Sequence, residues 1–340
     1  PSVELMADIV KNPAFAPDEI ERLRAQRLAG MASELTQPFN IALRTLPPLL
    51  YGSNHPYGTP FTGSGTVEAV RGLTRDDFVT AHQRWIRPDN AQIFVVGDTT
   101  LAEIMPILEE HFGNWQAPAV PEGVKQFPGT VQQPSPKIVL IDRPNSPQSL
   151  ILAGSILPVE GTDDLTTLLA ANDVLGGSFL SRFNYDLRET KGWAYGASGF
   201  VNRVEHRSPY IIYAPVQTDR TGDSIVALRQ QMREFLTNRG VTAAELERTK
   251  NGSIRELPGS YETSQAVLGP LVGNDLYDRP DDYYETLASR YRGMTAAELD
   301  AAARAAIDPG NFVWVVVGDA QRIRPQLESL GLPIEVMQPR

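Results

Sequence analysis

The sequence predicts an α+β protein made of two tandem copies of one α+β unit, and three observations carry that expectation. The segments "LTRDDFVTAHQRWIRPDNAQIFVVGD" and "MTAAELDAAARAAIDPGNFVWVVVGD" match end to end. The spacing from Thr74 to Asp98 equals that from Thr295 to Asp319, so they align without a gap. Each reads as a helix capped by its threonine, a proline-containing turn ("RPDN", "DPGN") and a β-branched strand closing on Gly-Asp. Further upstream, "APDEIERLRAQRLAG" pairs with "TAAELERTKNGSIRE", Glu19 matching Glu245, as amphipathic helices with ordinary surface charge pairing.

The copies are unequal at their front ends. Copy two opens with the strand pattern "KIVLID" at Lys137, far ahead of Glu245, whereas only residues 1–18 precede Glu19. The leading strands and first long helix of copy one are therefore expected to be absent, and the chain to be a piece of a longer polypeptide or a cut one. A first domain of that kind exposes a sheet edge and apolar helix faces and needs a partner to cover them. Between the copies "WQAPAVPEGVKQFPGTVQQPSP" reads as an extended linker. The expected boundaries are a first domain over 1–115, a linker over 116–136 and a second domain over 137–340. In the second domain, "LTTLLAANDVLGG" has helical apolar spacing, and "FLSRFNYDLRETKGW" follows as a helix stopped near Gly192.

Composition limits the function classes. The 340 residues exceed one ordinary domain, and 41% hydrophobic with 21% charged residues suits a packed core. A net charge of −10, without a basic patch, excludes a nucleic-acid or anionic-lipid partner. No apolar run is long enough for a membrane span. The first residues lack a signal-peptide pattern. The chain has no cysteine, so disulfides and thiolate zinc sites are ruled out, which suits cytosol and periplasm equally.

The chemistry-bearing residues are few. His55, His82, His111 and His206 form no ligand pair at helical spacing; His55 in "NHPYG" suits a turn and His111 a solvated helix. "GSG" at Gly63–Gly65 lacks the setting of a nucleophile elbow, and Gly176-Gly177 reads as a helix-ending turn. Arg188 and Tyr195 remain, in "RETKGWAY". Both are hydrogen-bond donors suited to peptide carbonyls or a developing oxyanion, and they would share a face if the helix ran on past Gly192. The bland alternative is a surface ion pair of Arg188 with Glu189 beside a packed tyrosine.

Two long stretches, "HPYGTPFTGSGTVEAVRGLTRDDFVTAHQRWIRPDNAQIFVVGD" and "LGGSFLSRFNYDLRETKGWAYG", resemble the M16 metallopeptidases, the pitrilysin, insulinase and processing-peptidase family. The resemblance covers almost the whole chain. It implies two tandem LuxS/metallohydrolase-like domains, each a mainly antiparallel sheet flanked by helices, the first lacking its N-terminal part. It also implies half of a zinc peptidase that encloses peptide substrates in a closed chamber, often in the periplasm. The family's zinc is held by a His-x-x-Glu-His motif and a downstream glutamate. Gly30 stands at that glutamate's position and Leu23 replaces a further acidic residue, so no metal or other cofactor is expected in this chain. Zinc is expected in a catalytic partner half, as a separate subunit or in the same longer chain. Arg188 and Tyr195 match the family's Arg-Tyr pair, which binds substrate backbone near the other half's zinc. The rival expectation is an inert structural subunit or a stand-alone peptide-binding module.

Overall fold

Continuous burial along the central strands organises the larger part of the chain. The computed structural model describes residues 1–127 and 131–339. Residues 128–130 of the expected linker and residue 340 of the expected second domain lie outside the described residues. Two compact units are present: residues 1–33, 64–127 and 261–272 form one, and residues 34–63, 128–260 and 273–340 the other.

The larger unit is built on a six-stranded sheet in the order β3-β4-β2-β5-β1-β6. Its strands are β1 (Lys137–Asp142), β2 (Gln148–Ile156), β3 (Ser198–Val201), β4 (Pro209–Gln217), β5 (Val313–Gly318) and β6 (Ile334–Met337). The sheet is mixed. β1 runs parallel to β5 and β6, while the β2–β4, β2–β5 and β3–β4 pairings are antiparallel. Side chains of a strand alternate between faces, and here both faces are dry. Ile138, Leu140, Ile151, Trp314 and Val316 point into the core beneath the helices Thr166–Asn172, Thr221–Thr237 and Ala296–Ala306. Val139, Ile141, Leu152, Val315 and Val317 point the other way, onto Ile41, Leu46 and Leu50 of the helix Pro38–Tyr51. This explains why "FVWVVVG" is continuously apolar rather than alternating: all of β5 is buried. At the end of the expected linker, Val131 packs on the second core cluster and Gln133 donates to the Ile156 carbonyl.

The smaller unit is helical, with Ser2–Lys11, Pro17–Glu34, Arg75–Trp85 and Leu101–Phe112 as its longest helices before residue 128. The caps read from sequence are present. Thr74 accepts from the Asp77 amide in a capping box, as Thr295 does with Glu298. Its expected strand is not: Ala91–Asp98 forms no strand, and Ile93 and Val95 are exposed. The matching run in the other copy is a strand because β1 and β2 flank it and pair its backbone. A strand needs neighbours to take up its amides and carbonyls, and among the described residues no strand pairs with residues 91–98. Of this unit's hydrophobic residues only Ala7 and Met31 are buried among those described, while Leu5, Ile9, Leu23, Ile86 and Leu101 are exposed. The apolar helix faces expected from the sequence are thus present without the sheet edge.

Candidate functional site

The Arg188 segment is anchored by the helical spacing of its apolar residues. Phe183 and Leu187, four residues apart, are 0% and 1% exposed and bind the segment to the core. The helix begins at Arg182 and widens into a π-turn over Tyr185–Thr190, with the Lys191 amide bonding back to the Asp186 carbonyl at 3.0 Å. Gly192 then takes φ +64°, a left-handed conformation that stops the helix and that a side chain would strain. The helix therefore does not carry Tyr195 two turns beyond Arg188; the chain reverses instead.

The reversal is held at both ends. The Trp193 amide bonds to the Leu187 carbonyl at 2.9 Å, the Gln217 amide to the Trp193 carbonyl at 2.9 Å, and the Gln217 side chain to the Gly192 carbonyl at 3.1 Å. On the far side, the Asn184 side chain accepts from the Ala197 amide at 3.0 Å. Between these anchors Tyr195 projects outward, 83% exposed. The result is an aromatic clamp: the Arg188 guanidinium carbon lies 4.7 Å from the Phe179 ring centre and 5.2 Å from that of Tyr195. The reversal thus brings together the two residues singled out from sequence, with Phe179 as a third member that sequence reasoning overlooked. Its signal in the sequence was an aromatic residue two positions past the Gly176-Gly177 helix end, and the structure leaves it 63% exposed.

The bland reading holds in one half only. Arg188 does pair with Glu189, Nε to Oε1 at 3.2 Å, but Tyr195 is not packed. An ion pair this exposed contributes about 0–1 kcal/mol and leaves the guanidinium available. An arginine fork and a phenol on a rigid exposed rim can donate to backbone carbonyls of an extended peptide.

Gly30 lies on the exposed side of the helix Pro17–Glu34, and a Cβ built there meets nothing within 4 Å. Packing does not demand glycine, so the residue is a missing side chain and not a fitted one. Among the described residues no group of three or more His, Cys, Asp or Glu side chains is placed to hold a metal ion. Without a donor at position 30 and without such a group, these residues do not fit a zinc ion. His55 is buried in the turn expected of it: its Nδ1 accepts from the Tyr57 amide at 3.0 Å and its ring stacks on Tyr51. Burial, with the nearby His206, holds its pKa below the ordinary histidine value.

The charged helices correct one expectation. Glu19 and Arg22 are an ordinary exposed pair at 2.7 Å, but Glu245 pairs with Arg182, far away in sequence, through bonds of 2.8 and 2.9 Å with both side chains largely buried. Arg248 makes no ion pair among the described residues. Among the described residues no helix is long and apolar enough to cross a membrane.

Comparison with known proteins agrees with this architecture. The family model described as "Peptidase M16 inactive domain" matches residues 72–253, just over half of the chain. An uncharacterized zinc protease of Mycobacterium tuberculosis is 26% identical over 309 residues, covering 89% of this chain and 68% of that protein. Among solved structures, an M16 inactive domain from Pseudomonas fluorescens superposes with a TM-score of 0.84 at 23% identity, covering 94% of this chain and 74% of that one. The first half of the periplasmic protease PqqL from Escherichia coli superposes at 0.70 and 14% identity, covering 99% and 76%.

Proposed function

The chain belongs to the M16 peptidase family, to its inactive-domain type, and from that membership we propose that it is the substrate-binding, non-zinc half of a zinc metallopeptidase. The observation that carries this reading is the clamp, which keeps Arg188 and Tyr195 together, outward and anchored from both sides. The pair grips the backbone of an extended peptide, while a catalytic M16 half, in the same longer chain or as a separate subunit, supplies zinc and the attacking water in a closed chamber. Gly30, where a ligand would be needed, supports placing the metal in the other half. The paired caps at Thr74 and Thr295 support two tandem domains, with the exposed apolar faces of the smaller unit available to be covered on assembly. The periplasm is the proposed compartment; the likeness to PqqL, itself periplasmic, supports it.

The test is peptidase activity of the complete enzyme with Arg188→Ala. Loss of one such donor typically costs 10²–10³ in rate, with unfolding behaviour unchanged. Wild-type turnover in that variant overturns the assignment. A partner half that is equally active without this chain points instead to a purely structural subunit.

A further inference from the structure

A second feature flanks the Arg188 segment: a pocket of about 700 Å³ walled by Leu180, Tyr185, Asp186, Arg182, Glu245 and Arg248. Its charges divide into satisfied and unsatisfied ones. Arg182 spends its fork on Glu245 and the Gly240 carbonyl, and Glu245 also accepts from Thr242. Asp186 is neutralised by Lys191 at 2.5 Å, and Arg239, also on the wall, by Glu234 at 2.6 Å. Arg248 differs from all of these. Among the described residues it has no carboxylate partner, its buried Nε has no hydrogen-bond partner, and Nη2 reaches only the Leu180 carbonyl at 3.5 Å.

We propose that this pocket is a carboxylate subsite, in which Arg248 receives the acidic side chain of an extended peptide lying across the Arg188 clamp. The inference rests on the proposed peptide-binding role of that clamp. A guanidinium on a pocket wall with no carboxylate of its own is matched by a planar, two-oxygen acceptor that takes up its fork. Tyr185 and Leu180, 56% and 51% exposed, supply an apolar wall for the side chain's methylenes. Tyr185 lies one helical turn before Arg188, so an extended peptide reaches both.

The experiment is fluorescence anisotropy of the full chain with labelled nine-residue alanine-serine peptides that differ only in a central glutamate or glutamine. The wild type is expected to bind the glutamate peptide roughly tenfold more tightly, the worth of one charge-assisted hydrogen-bonded pair. Arg248→Met, folded by circular dichroism, should erase that ratio and leave the glutamine peptide's Kd unchanged; Arg248→Lys should restore part of it. Arg188→Ala should weaken both peptides alike and keep the ratio. Equal affinities in the wild type, an intact ratio in Arg248→Met, or no binding of either peptide overturns the subsite. If the ratio is absent while Arg188→Ala still weakens both peptides, the subsite fails and the clamp stands. If the ratio is intact while Arg188→Ala changes neither affinity, the subsite stands and the clamp reading fails.

Discussion

Glu245 titrates far from its ordinary range, and replacing it with glutamine should flatten the acid sensitivity of folding. Burial alone would raise its pKa, but the hydrogen bonds from Arg182 and from Thr242, with the attraction of the Arg182 charge, outweigh burial and hold it at about 2 against an ordinary 4.5. The pair is bidentate and its side chains are only 11% and 16% exposed, so solvent screens it weakly. A folded-state pKa below the unfolded one means that the unfolded chain takes up the proton first as pH falls. The stabilisation is therefore complete above about pH 5.5 and is lost as pH falls through 4.5 toward 2. At 1.36 kcal/mol per unit, its full size is about 3 kcal/mol, of which about 2 kcal/mol is gone by pH 3. The assay is urea unfolding of wild type and Glu245→Gln at pH 7 and pH 3. The stability gap between the two proteins should shrink by about 2 kcal/mol on acidification. Asp164, held at about 2 against its own burial by Arg290 and Thr166, titrates in the same window but is common to both proteins and cancels. A gap constant to within about 0.5 kcal/mol refutes the assigned electrostatics of the pair.

Other outcomes follow from single residues. Gly30→Ala should stabilise the helix Pro17–Glu34 by up to about 1 kcal/mol, because the added methyl group meets open space; destabilisation in urea melts would show that glycine is required there. Tyr195→Phe should leave unfolding within about 0.5 kcal/mol of wild type, since the side chain is 83% exposed, yet slow the complete enzyme; unchanged kcat/KM would remove the hydroxyl from the proposed role. Phe183→Ala should cost about 3–5 kcal/mol in urea unfolding and detach the Arg188 segment from the core; a loss under about 1 kcal/mol would contradict its packing.

Local patterns in the sequence account for much of what formed. Thr74 and Thr295 cap helices because a threonine followed three residues later by an acid satisfies the first free amides without help from elsewhere. Gly192 stops the helix where expected, since only local backbone strain is involved. "KIVLID" and the valine run ending at Gly318 became β1 and β5. The expectations for Gly30 and for Arg188 with Tyr195 came from the family resemblance of their segments, since spacing alone leaves the pair open to an ordinary surface reading.

The tertiary structure decided whatever depends on neighbours. Two segments with the same pattern took different states, Val313–Gly318 a strand and Ala91–Asp98 not, because a strand's hydrogen bonds belong to adjacent chains and only the former has them. Arg188 and Tyr195 meet through a chain reversal pinned by Gln217 and Asn184, residues no spacing rule connects to the pair. Glu245 looked like a surface charge and is a largely buried partner of Arg182, which leaves Arg248 without a carboxylate. Sequence order determines which side chains are available and the local turns they prefer. Which of them pair, and which remain open to a ligand, is set by contacts between segments distant in the chain.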